Sequence, residues 1–153
     1  MSMQALLPIF VALAAALVLP GTGDALQEER LQPALATRLK RIEAAFRQND
    51  AASLRPSLTT TGKVRVDLHD QPEGQGSYGP GQLQVVFGRI FQDSPTQEFG
   101  FGTGSVTVSA PGTAFARGRW LRRGTPPGRA DTLTFTLRED SGDWRISEIR
   151  SSR

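Results

Sequence analysis

The sequence predicts an α+β fold in which N-terminal helices pack on a curved, mostly antiparallel sheet. Up to Pro95, apolar residues recur at helical spacing in two long stretches. After Pro95 they alternate with polar residues, which is the period of a strand. The later segments are separated by short turns rich in Gly, Pro and Asp, and connections this short join antiparallel neighbours.

Apolar periodicity predicts the helices. Pro33 suits a first helical turn, where its missing N–H is not needed. The apolar positions that follow are Leu35, Leu39, Ile42, Ala45 and Phe46. Asn49-Asp50 ends this helix and can cap a short second helix from Ala51 to Arg55. A third helix, ending near Asp93, follows from the spacing of Leu83, Val86, Phe87, Ile90 and Phe91.

Period-two alternation predicts the strands. Val64, Val66 and Leu68 alternate with polar residues, whereas the Gly- and Pro-rich stretch from Gln71 to Gly81 predicts a loop. Four further strands are predicted at Gln97–Ser109, Thr113–Arg122, Asp131–Glu139 and Trp144–Arg150. The glycines between positions 100 and 104 run into a strand and not into a helix, so they indicate a bulge or a bend and not a phosphate-binding loop.

The first 25 residues predict an export signal. An apolar run extends from Ala5 to Leu19, too short to span a bilayer, and Gly23 and Ala25 form a small-residue cleavage site. We therefore expect residues 1–25 to be a signal peptide, 26–33 an N-terminal segment, 34–150 one domain and 151–153 a tail. The protein would be periplasmic or extracellular, with no stable membrane span after cleavage; an uncleaved anchor is the alternative.

The composition limits the kinds of metal site, cofactor and partner that we expect. The chain has no Cys, which excludes disulfides and thiolate metal sites, and its one His cannot form a multi-histidine metal site. We therefore expect no metal and no cofactor. The net charge is +3 and most of the basic residues are Arg. An exported protein seldom meets nucleic acid, so the expected counter-charge is an anionic small molecule or an anionic envelope component.

The order of these elements resembles the nuclear transport factor 2-like superfamily. The resemblance rests on the turn at Asn49-Asp50, the loop Gly76-Ser77-Tyr78-Gly79-Pro80-Gly81, and the closing Trp144-Arg145-Ile146-Ser147-Glu148-Ile149. The chain is similar to small exported bacterial members of unassigned function. The resemblance implies a cystatin-like, cone-shaped domain that encloses a pocket, and frequent dimerisation through the outer sheet face, here around Trp120 and Thr132–Thr136. It implies no particular activity, because the superfamily includes enzymes and non-catalytic binding modules.

Asp67, His69 and Tyr78 are the candidates for acid–base chemistry. His and Tyr can transfer or donate protons, and enzymes of the superfamily place such groups inside the cone. However, Asp67 and His69 alternate with Val64 and Val66, so they face solvent if the valines face the core. Tyr78 is interpreted either as a ring that packs with its hydroxyl exposed or as a hydrogen-bond donor at the pocket mouth.

Arg117 and Arg119 are the candidates for ligand binding, together with Tyr78. Both arginines share a strand face with Phe115 and Leu121, and the span from Phe99 to Ala130 holds no acidic residue. They could line a pocket for a carboxylate or phosphate, or form a solvated edge that prevents the sheet from adding strands.

The sequence therefore predicts an exported, non-catalytic binding or interaction module that takes an anionic ligand. The alternative is a small isomerase or hydrolase that uses Asp67 or His69 with Tyr78. A third hypothesis is a structural homodimer.

Overall fold

The computed structural model describes residues 31–126 and 129–153. The signal-peptide prediction for residues 1–25 lies outside the described residues. These described residues include three α-helices, α1 (Pro33–Arg47), α2 (Ala51–Leu54) and α3 (Pro80–Asp93). Asp50 caps α2 by accepting a hydrogen bond from the Ser53 amide at 3.1 Å. Within the described ranges, no helix is long and apolar enough to cross a bilayer.

In the part of the chain that the structure describes, six strands form one sheet. Their bounds are β1 (Val64–Asp67), β2 (Gln75–Tyr78), β3 (Thr96–Ala110), β4 (Thr113–Arg122), β5 (Asp131–Asp140) and β6 (Asp143–Ser152). Their order in the sheet is β2-β1-β6-β5-β4-β3. All neighbours are antiparallel except β1 and β6, which run parallel. The predicted α+β class and the mostly antiparallel sheet are confirmed.

The loop predicted from Gln71 to Gly81 is wrong in part, because β2 lies within it. The strand pairs with β1 from Val64 opposite Tyr78 to Asp67 opposite Gln75. Its first three residues are exposed, so β2 carries no alternation of buried and exposed side chains that a sequence pattern could reveal. Backbone pairing alone defines this strand.

The predicted irregularity in the Gly-rich strand is confirmed. Phe101 pairs with Gly118 and Val106 pairs with Ala116, so four residues of β3 lie opposite the single residue Arg117 of β4. Gly104 in this bulge has a φ of 71°, which favours glycine.

The inner face of the sheet packs against the helices through aromatic side chains. Phe46 of α1 is fully buried and stacks on Phe99 with ring centroids 4.5 Å apart. Four more rings lie within 5.7 Å of it, those of Phe87, Phe91, Trp120 and Phe135. Side chains therefore fill the space between helices and sheet around Phe46, where the resemblance predicts an enclosed pocket.

Two predictions about β4 need correction. Trp120 is only 2% exposed and belongs to the inner face, because alternation places Arg119 and Leu121 on the outer face. It therefore cannot join Thr132–Thr136 in an outer-face contact. Arg117 and Arg119 also do not form a sheet edge, because β4 lies between β3 and β5.

Candidate functional site

A cavity of about 560 Å³ lies at one end of the sheet, where β4 and β6 end and β5 begins. We call it the charged cavity. It is lined by Asp70, Arg122, Gly124, Thr125, Pro126, Arg129, Ala130, Asp131 and Arg153. Three arginines and two aspartates thus converge on one concave site whose volume is typical of small-ligand pockets.

A buried ion pair forms the base of the charged cavity. Arg122 Nη2 donates to Asp131 Oδ2 at 3.0 Å, and the side chains are 9% and 11% exposed. The guanidinium of Arg122 lies over the Trp120 ring, 4.7 Å from its centroid, and this cation–π contact fixes its plane. Arg122 Nε is buried and, among the described residues, has no hydrogen-bond partner. A buried donor without a partner is costly, so it calls for a specific explanation.

A second, more exposed ion pair stands at the rim. Arg153 Nη2 donates to both carboxylate oxygens of Asp70, at 2.7 and 2.8 Å. These hydrogen bonds lower the pKa of Asp70 below its ordinary range, and Asp70 raises the pKa of Arg153 in turn. Arg153 Nε also donates to His69 Nε2 at 3.0 Å. The rim is therefore held by a network in which Arg153 connects the end of β6 to the turn after β1.

The hydrogen bonds of His69 determine its tautomer. A guanidinium can only donate, so the bond from Arg153 makes Nε2 an acceptor and leaves the proton of neutral His69 on Nδ1. Nδ1 then donates to Ser151 Oγ, which also accepts from the His69 backbone amide at 3.0 Å. Ser151 thereby serves as an acceptor that fixes the turn after β1.

The grouping of Ser151, His69 and Asp70 therefore does not form a nucleophilic triad. Such a triad needs an unprotonated imidazole nitrogen that can take the serine proton. Here the nitrogen next to Ser151 carries a proton, and the opposite nitrogen faces Arg153 at a shorter distance than Asp70 Oδ2, which lies 3.4 Å away. This arrangement stabilises structure and does not activate the hydroxyl.

The same residues offer an incomplete set of metal ligands. His69, Asp70 and Asp131 each present one ligand atom, all within 4.8 Å of one another. Both carboxylates already bind a guanidinium, Asp70 that of Arg153 and Asp131 that of Arg122. A cation would have to displace these arginines, so the residues present fit ion pairing better than metal ligation.

The acid–base candidates are not brought together. Val64 and Val66 are buried, and Asp67 and His69 are exposed, as the alternation predicts. Tyr78 lies opposite Val64, at the other end of the β1–β2 ladder from Asp67, about 10 Å away along the strand. The Tyr78 ring packs against the core, and its hydroxyl donates to the Glu73 carbonyl at 2.8 Å.

The ligand-binding candidates Arg117 and Arg119 both lie on the outer face of β4. Arg119 Nη1 forms an ion pair with Glu98 Oε2 at 3.3 Å, and both side chains are more than half exposed. Arg119 also lines an open groove of about 620 Å³ along β3, together with Arg47, Gln97, Glu98, Phe99, Gly100, Phe101 and Gly102. Arg47 in this groove is itself paired with Glu43 at 2.8 Å. The groove therefore offers only exposed and already paired cations, unlike the base of the charged cavity.

Sequence reasoning missed the charged cavity. Arg122 and Arg129 belong to the basic stretch that the sequence singled out, but Asp70 and Arg153 are separated by more than 80 positions. They meet because β1 pairs in parallel with β6, with Asp67 opposite Arg150. Asp131 is spaced two residues apart from Leu133 and Phe135 in turn and therefore shares their face of β5, which was the one sequence signal that this aspartate points inwards.

Comparison with known proteins identifies the fold. No protein-family model matches the chain, and no curated protein matches it. A DUF4783 family protein from Bacteroides fragilis YCH46 superposes with a TM-score of 0.60 at 14% identity, over 72% of this chain and 93% of that one. An NTF2-like protein of unknown function from Shewanella oneidensis MR-1 gives 0.60 at 16% identity, over 78% and 96%.

A third solved structure supports the same conclusion. An uncharacterised protein with a cystatin-like fold from Caulobacter vibrioides gives a TM-score of 0.58 at 18% identity, over 78% of this chain and 86% of that one. The chain therefore has the nuclear transport factor 2-like, cystatin-like fold that its sequence predicts. Likeness at this level of identity carries no activity.

Proposed function

We propose that this protein is a non-catalytic binding module that holds a small carboxylate- or phosphate-bearing ligand in the charged cavity. The observation that carries the proposal is the convergence of Arg122, Arg129 and Arg153 on one cavity, in which Arg129 forms no ion pair with any described residue. Several converging arginines favour an anionic group with at least two acceptor oxygens.

The balance of charges in the cavity supports an anion. Asp131 compensates Arg122 and Asp70 compensates Arg153, whereas Arg129 forms no ion pair with any described residue. One positive charge is therefore left over, together with Nη1 of Arg122 and of Arg153, for which the described residues supply no acceptor. A ligand with one or two negative charges would complete this set of donors.

We favour a binding function over the enzymatic alternative because the hydrogen bonds at the rim already occupy the candidate acid–base groups. His69 carries its proton on the nitrogen next to Ser151, and Tyr78 lies at the far end of the β1–β2 ladder. These groups position each other, and among the described residues they leave no base beside the cavity that is free of a cationic partner.

Export is part of the proposal and rests on residues 1–25 of the sequence. A periplasmic or extracellular protein would meet small organic acids and phosphate esters that enter from outside the cell. The mass of the protein purified from cells that express the full chain tests this part. Loss of residues 1–25 is the expected result, and a chain that keeps them in the membrane fraction would indicate the anchor instead.

Titration calorimetry with inorganic phosphate and with acetate tests the ligand class. The informative variant is Arg129→Ala, because Arg129 is exposed and its loss does not disturb the buried pair beneath it. One charge-assisted hydrogen bond contributes about 1.5–3 kcal/mol, so we expect affinity to fall by about tenfold or more. Arg138→Ala is the matched control, because it removes the same charge from an exposed position of β5 outside the cavity.

Equal weakening by Arg129→Ala and Arg138→Ala would contradict the proposal, because it would mean that only net charge matters. Failure of the unmodified protein to bind either anion would also reject it. Retention of binding in Arg138→Ala with loss in Arg129→Ala is the result that the charged cavity predicts.

A further inference from the structure

The outermost strand of the sheet, β3, is divided into two halves by its bulge. Residues 96–101 pair with the C-terminal part of β4, and residues 106–110 pair with its N-terminal part. Among the described strands β3 has a neighbour on one side only, so each half presents backbone N–H and C=O groups away from the sheet. The two halves differ in what covers these groups.

Polar side chains from the end of α1 and the residues just after it cover the first half. Asn49 Oδ1 accepts from the Thr96 amide at 2.6 Å, and Arg47 Nε donates to the Phe99 carbonyl at 2.7 Å. Glu43 accepts a hydrogen bond of 3.3 Å from the amide of residue 101. These three side chains take the place of a seventh strand, so the first half of the edge is closed to another chain.

The second half, Val106–Ala110, is open, and we call it the open edge. Within the described residues, no side chain forms a hydrogen bond to the backbone of Val106–Ala110, whereas three side chains do so in the first half. Val108 lies opposite buried Ala114, so it occupies an inner-face position of β3. Its side chain is nevertheless 52% exposed. The span from Phe99 to Ala116 contains no charged residue. Exposed edges are usually protected by Lys, by Pro, by an inward-pointing charge or by a bulge. The open edge has no Lys, Pro or charge, and its pairing with β4 is regular from Val106 to Val108, before a register shift between Val108 and Ala110.

We propose that the open edge pairs antiparallel with the open edge of a second copy of this chain, about a two-fold axis at Thr107. This register places Val106 opposite Val108 of the second copy and Val108 opposite its Val106, so that the exposed valine gains an apolar partner. The same strand meeting itself about a two-fold axis is self-complementary. The inference is independent of the charged cavity.

Charge favours a second copy at this edge over contact through the outer sheet face. The uncharged open edge brings no like charges together when two copies meet. The outer face carries Arg117, which forms no ion pair with any described residue, and the ion pairs of Arg119 with Glu98 and of Arg150 with Glu148. Face-to-face contact would have to remove all these charged side chains from water, which is costly. Pairing at the edge also satisfies the free backbone groups, which contact through the face would leave in solvent.

A single introduced cysteine tests the pairing, because the chain has none of its own. Directly opposite residues of antiparallel strands have Cα atoms about 4.5–5.5 Å apart, which lies within disulfide range. Thr107→Cys, in protein purified from cells that express the full chain, should therefore form a disulfide-linked dimer on mild oxidation. Thr134→Cys, at an outer-face position of β5, is the matched control and should stay unlinked.

Light scattering of the protein without cysteine gives the second readout. We expect twice the chain mass for the unmodified protein and for Thr134→Lys, and a single chain mass for Thr107→Lys. Thr107 is exposed, so its substitution should leave thermal unfolding of the domain intact. A monomeric unmodified protein, or a dimer that Thr134→Lys dissociates and Thr107→Lys does not, would overturn the proposal.

Discussion

Replacement of Phe46 by Ala tests whether the interior of the fold is closed. The Phe46 side chain is fully buried, and five aromatic rings lie with centroids between 4.5 and 5.7 Å from its own. Removal of a buried Phe costs about 3–5 kcal/mol, and the cost rises with the volume of the cavity that remains. Each aromatic pair adds about 0.5–1.5 kcal/mol beyond area burial. Because rings surround Phe46 and rigid rings collapse poorly into a gap, we expect a loss of about 4–5 kcal/mol.

Urea unfolding measures this loss, with the m-value as a check that the unfolded surface is unchanged. Val85→Ala is the matched control, because Val85 on α3 is 55% exposed and should change stability by about 0.5 kcal/mol or less. A loss below about 2 kcal/mol for Phe46→Ala at an unchanged m-value would refute the reasoning. The interior would then have space to spare, and it would become a competitor to the charged cavity as the ligand site.

Two further predictions concern a charge and a glycine. Two hydrogen bonds from Arg38 lower the pKa of Asp143 in the folded protein from its ordinary value of 3.8. The ionised carboxylate therefore stabilises the fold fully above about pH 3.8, and this stabilisation is lost as the pH falls through the lower pKa of the folded state. Urea unfolding at about pH 6 and about pH 3 should show a smaller difference for Asp143→Asn than for the unmodified protein, and equal differences would contradict this. A Cβ on Gly118 would lie 2.5 Å from Cζ of Phe99, so Gly118→Ala should cost about 1–3 kcal/mol in the same assay. A Cβ on Gly102 has no heavy atom within 4 Å, so Gly102→Ala should leave the free energy of unfolding nearly unchanged. An equally small loss for Gly118→Ala would contradict the prediction, because it would show that Phe99 moves aside freely.

Much of the fold could be predicted from periodicity. The apolar spacing of α1 and α3 and the alternation in β4 and β5 reflect one face packed on a common core, and the boundaries predicted for these elements lie close to those observed. The strand β2 was missed for the same reason. Its exposed first residues bury no face, so its hydrogen bonds with β1 leave no trace in hydropathy.

The candidate site was harder to predict because it depends on strand order. Alternation placed Asp67 and His69 on the exposed side of β1, and it grouped Arg117 with Arg119 on one face. It could not show that Arg153 meets His69, because this requires the parallel pairing of β1 with β6 across more than 80 positions. Long-range pairing is set by the packing of the whole sheet and not by local pattern.

The nuclear magnetic resonance signals of the arginine side-chain Nε–H groups test the central claim most directly. Inorganic phosphate, added to isotope-labelled protein, should shift the signals of Arg122, Arg129 and Arg153, because these residues line the charged cavity. The signals of Arg117 and Arg119 on the outer face should stay in place. Shifts confined to Arg117 and Arg119 would move the ligand to the outer face of the sheet, and the absence of any shift would contradict an anion-binding function.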